Sequence, residues 1–107
     1  MARYTNSLPV STATARLRDS LISTLQSCGL NMVYETKDYL VAKEQPGQVS
    51  ISQLTTIEVL INPPTAAADS TSTWVSLVVK NEELPLKRNN HCEQMFSAIS
   101  EAIGAAV

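Results

Sequence analysis

The chain has 107 residues, of which 44% are hydrophobic and 17% charged, and its formal net charge is −2 at pH 7. This length predicts a single domain, 1–107, with one modest core, and the composition argues against an intrinsically disordered chain. There is no concentrated basic run and no stretch of about 18 consecutive apolar residues, so neither a nucleic-acid partner nor an integral membrane segment is expected.

The first two predicted elements are a strand and a helix. Residues 2–10 form an extended segment, because Pro9 argues against a helix and suits an edge strand. A helix capped by Ser11 or Thr12 follows, and Gly29 ends it in a left-handed conformation. The apolar face of this helix has a period of about four residues and comprises Ala13, Leu17, Leu21, Leu25 and Cys28, with Ile22 beside it.

A hairpin is predicted next, with strands at 30–35 and 39–44 around the polar break 36–38. Its first strand alternates, so that two sets of side chains face opposite ways: Leu30, Met32 and Tyr34 on one side, and Asn31, Val33 and Glu35 on the other. Residues 45–48 form a turn, since Pro46 and Gly47 suit its second and third positions.

The β-branched run 49–61 predicts a long strand that ends at Asn62 and two prolines. In its second half Thr55, Ile57, Val59 and Ile61 alternate with Leu54, Thr56, Glu58 and Leu60. Residues 63–73 have low complexity and no large apolar side chain, so they predict a mobile surface loop within the single domain.

The C-terminal third contains the clearest signals. Residues 74–79 form a strand, and residues 80–88 form a charged loop that contains Pro85. A helix then begins with Asn90 as its N-cap and Glu93 three residues later, and Gly104 is the expected stop. The apolar stripe of this helix comprises Cys92, Met95, Phe96, Ile99, Ala102 and Ile103.

The predicted order is β-α-β-β-β-β-α, an α+β class. Four consecutive strands joined by short connections favour an antiparallel sheet, with both amphipathic helices covering one face. This topology resembles the helix-grip folds and the single repeat of the TATA-binding-protein fold. A likeness of topology implies no function.

The uncovered face of this sheet is the main candidate site. Trp74 and Val78 lie opposite the apolar set Val75, Leu77 and Val79 on their strand. The residues expected to share that face are Tyr39, Val41, Leu54 and Leu60. An exposed apolar patch with aromatic side chains is typical of an interaction surface. The alternative is that a curled sheet or the 63–73 loop covers these residues.

Two cysteines are the redox candidates. Cys92 lies in the first turn of the second helix, near Lys87, Arg88 and His91, and the helix dipole can lower the pKa of such a thiol. Alternatively Cys92 is a buried, inert member of the apolar stripe. Because adjacent helical residues do not face each other, we expect His91 to point to solvent.

If the helices pack antiparallel, Cys28 and Cys92 lie at ends that meet, and a disulfide is possible. The favoured alternative is two reduced thiols in a cytoplasmic protein, because the N-terminus lacks the continuous apolar core of a secretory signal. The two Cys and one His lack the close pairing of zinc ligands, so no metal or other cofactor is expected.

The charged loop is the last candidate. Its charged side chains are Lys80, Glu82, Glu83, Lys87 and Arg88. Mixed charges of this kind favour a solvated connection. The alternative is a recognition loop around residues 84–86.

The segments DYLVAKE (38–44), TTIEVLI (55–61) and NEELPLKRNNHCEQMF (81–96) resemble a family of small uncharacterised cyanobacterial proteins of about 100 residues. The resemblance implies a cytosolic or thylakoid-peripheral protein in a photosynthetic organism. It implies no activity and no site residues.

No phosphate-binding loop, dinucleotide turn or nucleophile elbow occurs in the sequence, so no catalytic residue is expected. We expect a small non-enzymatic binding or assembly-accessory domain that uses the sheet face, with Trp74 as anchor, for a homodimer or a protein partner. One alternative is a module that binds a small apolar ligand between the sheet and the last helix. Another is a thiol-based redox sensor through Cys92.

Overall fold

A computed structural model describes residues 2–10, 14–47, 49–62, 73–83 and 90–106. Its elements in chain order are β1 (Ala2–Val10), α1 (Thr14–Ser27), β2 (Leu30–Glu35), β3 (Tyr39–Glu44), a 3-10 turn (Ile51–Gln53), β4 (Thr56–Asn62), β5 (Thr73–Asn81) and α2 (His91–Ala106). The order β-α-β-β-β-β-α and the α+β class are as predicted.

The five strands form one antiparallel sheet in the order β1-β5-β4-β3-β2. Strands β2 to β5 follow one another as a meander, and β1 returns to pair with β5 along its whole length, from Ala2 opposite Asn81 to Val10 opposite Thr73. The N-terminal strand therefore joins the last strand of the chain, and β1 and β2 are the two edges.

Both helices pack on the same face of the sheet. The buried side chains of the two helices and the inward-facing strand residues form one cluster: Leu17, Leu21, Leu25, Cys92, Ile99 and Ile103 from the helices, and Ala2, Leu30, Leu40, Ala42, Ile57, Val59, Ile61, Val75, Leu77 and Val79 from the strands. Burial of each Leu or Ile stabilises the fold by roughly 1.5–3 kcal/mol. The alternating residues of the strands and the residues spaced about four apart on the helices thus pack into a single core.

The structure corrects the predicted bounds of two strands. The run 49–61 is a strand only from Thr56, since its first half forms the 3-10 turn, where the Ser50 N–H donates to the Gln53 side chain at 3.3 Å. Side-chain bonds of this kind compete with strand pairing. β5 extends beyond the predicted 74–79 because the full-length pairing with β1 includes Thr73, Lys80 and Asn81.

Glycines end one helix but not the other. Gly29 has φ +82° directly after α1, as predicted, and Gly47 has φ +111° in the turn after β3. Gly104, the predicted stop of α2, instead lies inside the helix, which continues to Ala106. A helical glycine costs about 1 kcal/mol relative to alanine, and the burial of the preceding Ile103 offsets this cost.

Some predictions fall outside the described residues: the cap at Ser11 or Thr12, the stripe member Ala13, residues 63–72 of the predicted mobile loop, and residues 84–88 of the charged loop. Within the described chain, neither helix has the length and apolarity needed to cross a membrane.

Candidate functional site

The sheet face opposite the two helices, called the open face below, holds all four predicted interface residues. Directly opposed residues on neighbouring strands share a face. Tyr39 is opposite Leu60, Val41 is opposite Glu58, and Glu58 is opposite Val78. Trp74 alternates with the buried Val75 on β5 and so lies on the open face as well.

The open face exposes several large apolar side chains. The exposed fractions are 47% for Trp74, 40% for Leu60, 54% for Tyr34 and 55% for Val33. These side chains span β5, β4 and β2, and Tyr39 of β3 lies between them, half-buried. The aromatic rings of Tyr34 and Tyr39 meet edge to face, with centroids 6.2 Å apart.

Tyr34 reaches the open face through an irregularity in β2. The predicted alternation placed it on the same face as Leu30 and Met32. The pairing instead shifts between Met32 and Tyr34, with Val33 as the extra residue, so that Tyr34 is opposite Val41. A bulge inserts one residue and reverses the alternation beyond it. The prediction that Tyr34 shares a face with Leu30 and Met32 was therefore wrong.

A charged network occupies the centre of the open face. Glu58 accepts a hydrogen bond from the Tyr39 hydroxyl through Oε1, and its Oε2 lies 2.9 Å from Nζ of Lys80. The hydrogen bonds from Tyr39 and Lys80, together with the charges of Lys80 and Arg3, hold the pKa of Glu58 below its usual value. The same Glu58 bond raises the pKa of Tyr39. Glu58 is therefore an ionised carboxylate whose charge is already compensated.

Basic side chains form a row across one end of the open face. Arg3 of β1 is opposite Lys80 of β5, Lys80 is opposite Thr56 of β4, and Thr56 is opposite Lys43 of β3. Asn31 of β2 continues the row opposite Lys43. Among the described residues, neither Arg3 nor Lys43 forms an ion pair. Sequence reasoning missed this row because its five members are scattered from position 3 to position 80 of the chain.

Cys92, in the first turn of α2, is fully buried against the sheet, and its thiol donates to the carbonyl oxygen of Val79 at 3.3 Å. Burial, aided by the charge of Glu83, raises the pKa of Cys92 to about 11. Desolvation thus outweighs the dipole effect considered from the sequence. At neutral pH the thiol is protonated and inaccessible, which is the opposite of what a reactive cysteine needs.

Cys28 is half-buried and borders a cleft of about 320 Å³ between the end of α1 and the start of α2. His91 and Met95 of α2 line the same cleft, so the two helix ends meet there. Both cysteines are free, and no disulfide joins them.

His91 does not point to solvent, contrary to the sequence prediction. Its side chain is 17% exposed, and Nε2 lies 2.8 and 2.9 Å from the two carboxylate oxygens of Glu44 at the end of β3. Thr55 donates to Glu44 Oε1 from its backbone N–H at 3.1 Å and its hydroxyl at 2.9 Å. The residues of this pair are 47 positions apart, so no local pattern indicates it.

Glu83, predicted in a solvated loop, is buried and anchors the start of α2. Its carboxylate accepts from Nδ2 of Asn81 at 2.6 Å and from the backbone N–H groups of His91 at 3.3 Å and Cys92 at 3.0 Å. Asn90 caps the same end as predicted, because its Oδ1 accepts from the Glu93 N–H at 3.3 Å. The side chains of Glu83 and Asn90 thus both accept hydrogen bonds from backbone N–H groups in the first turn of α2.

No group of three or more His, Cys, Asp or Glu side chains in the described part of the chain is placed to hold a metal ion. The chain matches no protein-family model and no curated protein. The geometry of the open face is therefore the main indication of function.

Proposed function

We propose that this protein is a small non-enzymatic binding domain whose open face docks a protein, either a second copy or a different partner. The observation that supports this most is the exposure of Trp74, Leu60 and Tyr34 on a face that does not contribute to the core. None of these three side chains belongs to the buried core cluster. A contiguous exposed apolar patch of this kind marks an interaction surface.

The size of the open face fits such a role. Five strands about 4.8 Å apart and about seven residues long cover on the order of 500–600 Å² of flat sheet. Side chains increase the accessible area beyond this value. A standard protein interface buries roughly 800 Å² on each partner. The face is therefore large enough for a specific interface of standard size, but too small for an extensive obligate one.

Both edges of the sheet are protected, which favours the face over strand addition. On β1 the Ser7 N–H is bonded to the side chain of Asn6 at 2.9 Å and so points away from β5. Pro9, two residues on, also faces that edge and has no N–H to offer. On β2 the bulge at Val33 disrupts the other edge. Such features prevent pairing with another strand.

The two alternatives have less support. A cavity for an apolar ligand requires space between the sheet and α2, but Cys92, Ile99 and Ile103 are fully buried against the sheet. The cleft beside α2 is lined by the polar His91–Glu44 pair. A thiol sensor through Cys92 requires a sulfur that is accessible and ionises readily. The sulfur of Cys92 is buried, and its pKa is raised.

Sedimentation equilibrium combined with acrylamide quenching of Trp74, the only Trp, tests the proposal. A dimer through this face shields Trp74, and Trp74→Ala raises its dissociation constant about thirtyfold, because truncating a central interface Trp costs about 2 kcal/mol or more. A monomer awaiting a partner has a quenchable Trp74. Ile51→Ala is the matched control, since Ile51 is 86% exposed but lies off the sheet.

The contradicting result is a monomer whose Trp74 is shielded from acrylamide. In that case the single chain covers its own open face, and no partner can dock there.

A further inference from the structure

We infer that the partner docking on the open face is a different polypeptide that carries an apolar anchor and acidic side chains about 20 Å apart. This inference rests on the proposed function and specifies the chemistry of the partner. It follows from how charge and apolar surface are arranged on the face.

The charge of the open face is opposite to that of the whole chain. The net charge of the chain is −2, yet the cross-strand row on this face contains three cations, Arg3, Lys80 and Lys43. Among described residues, the register places a single acid on the face, Glu58, and Lys80 and Tyr39 already satisfy its carboxylate. Three cations against this one carboxylate thus leave that end of the face with a net positive charge.

The apolar anchor site lies at the other end of the same face. Trp74 and Lys80 are six residues apart on β5, which is about 20 Å at about 3.3 Å per residue. Leu60 and Tyr39 border the Trp74 end, since Leu60 is opposite Tyr39 on β3 and opposite Ser76 on β5. A complementary partner therefore places an apolar side chain on Trp74 and carboxylates about 20 Å away. A strand of six residues or a helix of about 13 spans this distance.

A second copy is a poorer occupant. A two-fold interface buries the same patch on both subunits. Packing two open faces together brings three cations from each copy between the sheets, and the only acids that the described residues place there, the two Glu58 carboxylates, are already bonded. Uncompensated like charges at an interface disfavour association.

A nucleic acid is also a poorer fit. Three phosphate contacts supply only a small part of the electrostatic affinity of nucleic-acid-binding proteins, and the acidic chain as a whole repels a polyanion.

The test begins with selection of phage-displayed random 12-residue peptides on the immobilised full-length chain. We expect the selected peptides to combine Leu or an aromatic residue with several Asp or Glu, and to shift the fluorescence of Trp74 on binding. Arg3→Gln/Lys43→Gln should weaken their binding about tenfold, and raising NaCl from 50 to 500 mM should weaken it for the wild type. The control Arg16→Gln/Lys37→Gln removes one Arg and one Lys that are exposed outside this face and should bind as wild type.

Four outcomes overturn the inference. If the selected peptides lack acidic residues and bind Arg3→Gln/Lys43→Gln as tightly as the wild type, the partner is not acidic, although the docking face remains supported. A wild-type dimer that shields Trp74 and dissociates in Trp74→Ala replaces the partner by a second copy. A 12-nucleotide oligothymidylate that binds more tightly than any selected peptide replaces it by a nucleic acid. If no selected peptide depends on Trp74, the docking face and its acidic partner both fail.

Discussion

At the scale of single residues, the two cysteines differ sharply in environment. The pKa of Cys92, raised to about 11, makes its thiolate fraction on the order of one in ten thousand at pH 7. Cys28 is partly exposed at a cleft. We therefore expect the native protein to react with one equivalent of 5,5′-dithiobis(2-nitrobenzoate) at pH 8, and Cys28→Ser to react with none until it is unfolded in guanidinium. Rapid reaction of two equivalents in the native state would show that Cys92 is accessible.

At the scale of elements, the start of α2 depends on Glu83. Replacing it by Ala leaves the donors of Asn81, His91 and Cys92 without this acceptor inside the protein. Leaving buried donors unsatisfied costs about 1–3 kcal/mol in all, so Glu83→Ala should lower the free energy of unfolding in urea by about 2 kcal/mol. The neighbouring Glu82→Ala is the control, because Glu82 is exposed and should unfold near the wild-type midpoint. Equal midpoints for the two variants would contradict an anchoring role for Glu83.

The same elements show what the sequence could predict. Alternation on β5 and four-residue spacing on α1 are local signals, and they correctly indicated which side chains enter the core. They also placed Trp74 and Tyr39 on the face away from the helices. The predictions for Tyr34, His91 and Glu83 failed because each is decided by a tertiary contact. These contacts are a bulge against β3, a side-chain contact with Glu44, and the packing of a helix N-terminus. The cationic row depends on register across four strands, which no local pattern specifies.

At the scale of the whole molecule, the core and the proposed docking surface lie on opposite faces of the sheet. One sheet face and two helices form the core, and the other face carries aromatic and basic side chains that lie outside the buried cluster. Such a division works only if the sheet does not extend by strand pairing, because edge-to-edge association would compete with docking on the face. Protection of the β1 edge therefore affects how the whole molecule associates, and it depends on two residues, Asn6 and Pro9.

Removing that protection should change how the molecule associates. Asn6→Ala frees the Ser7 N–H from its side-chain bond, and Pro9→Thr supplies an N–H at the same edge. We expect the double variant to self-associate through β1, with a weight-average sedimentation coefficient that rises with protein concentration, while the wild type shows no association through this edge. Thr5→Ala, on the same strand but without a change in backbone donors, is the control. If the double variant sediments like the control at every concentration, the edge is blocked by something other than Asn6 and Pro9. The preference for the open face over strand addition would then need a different physical basis.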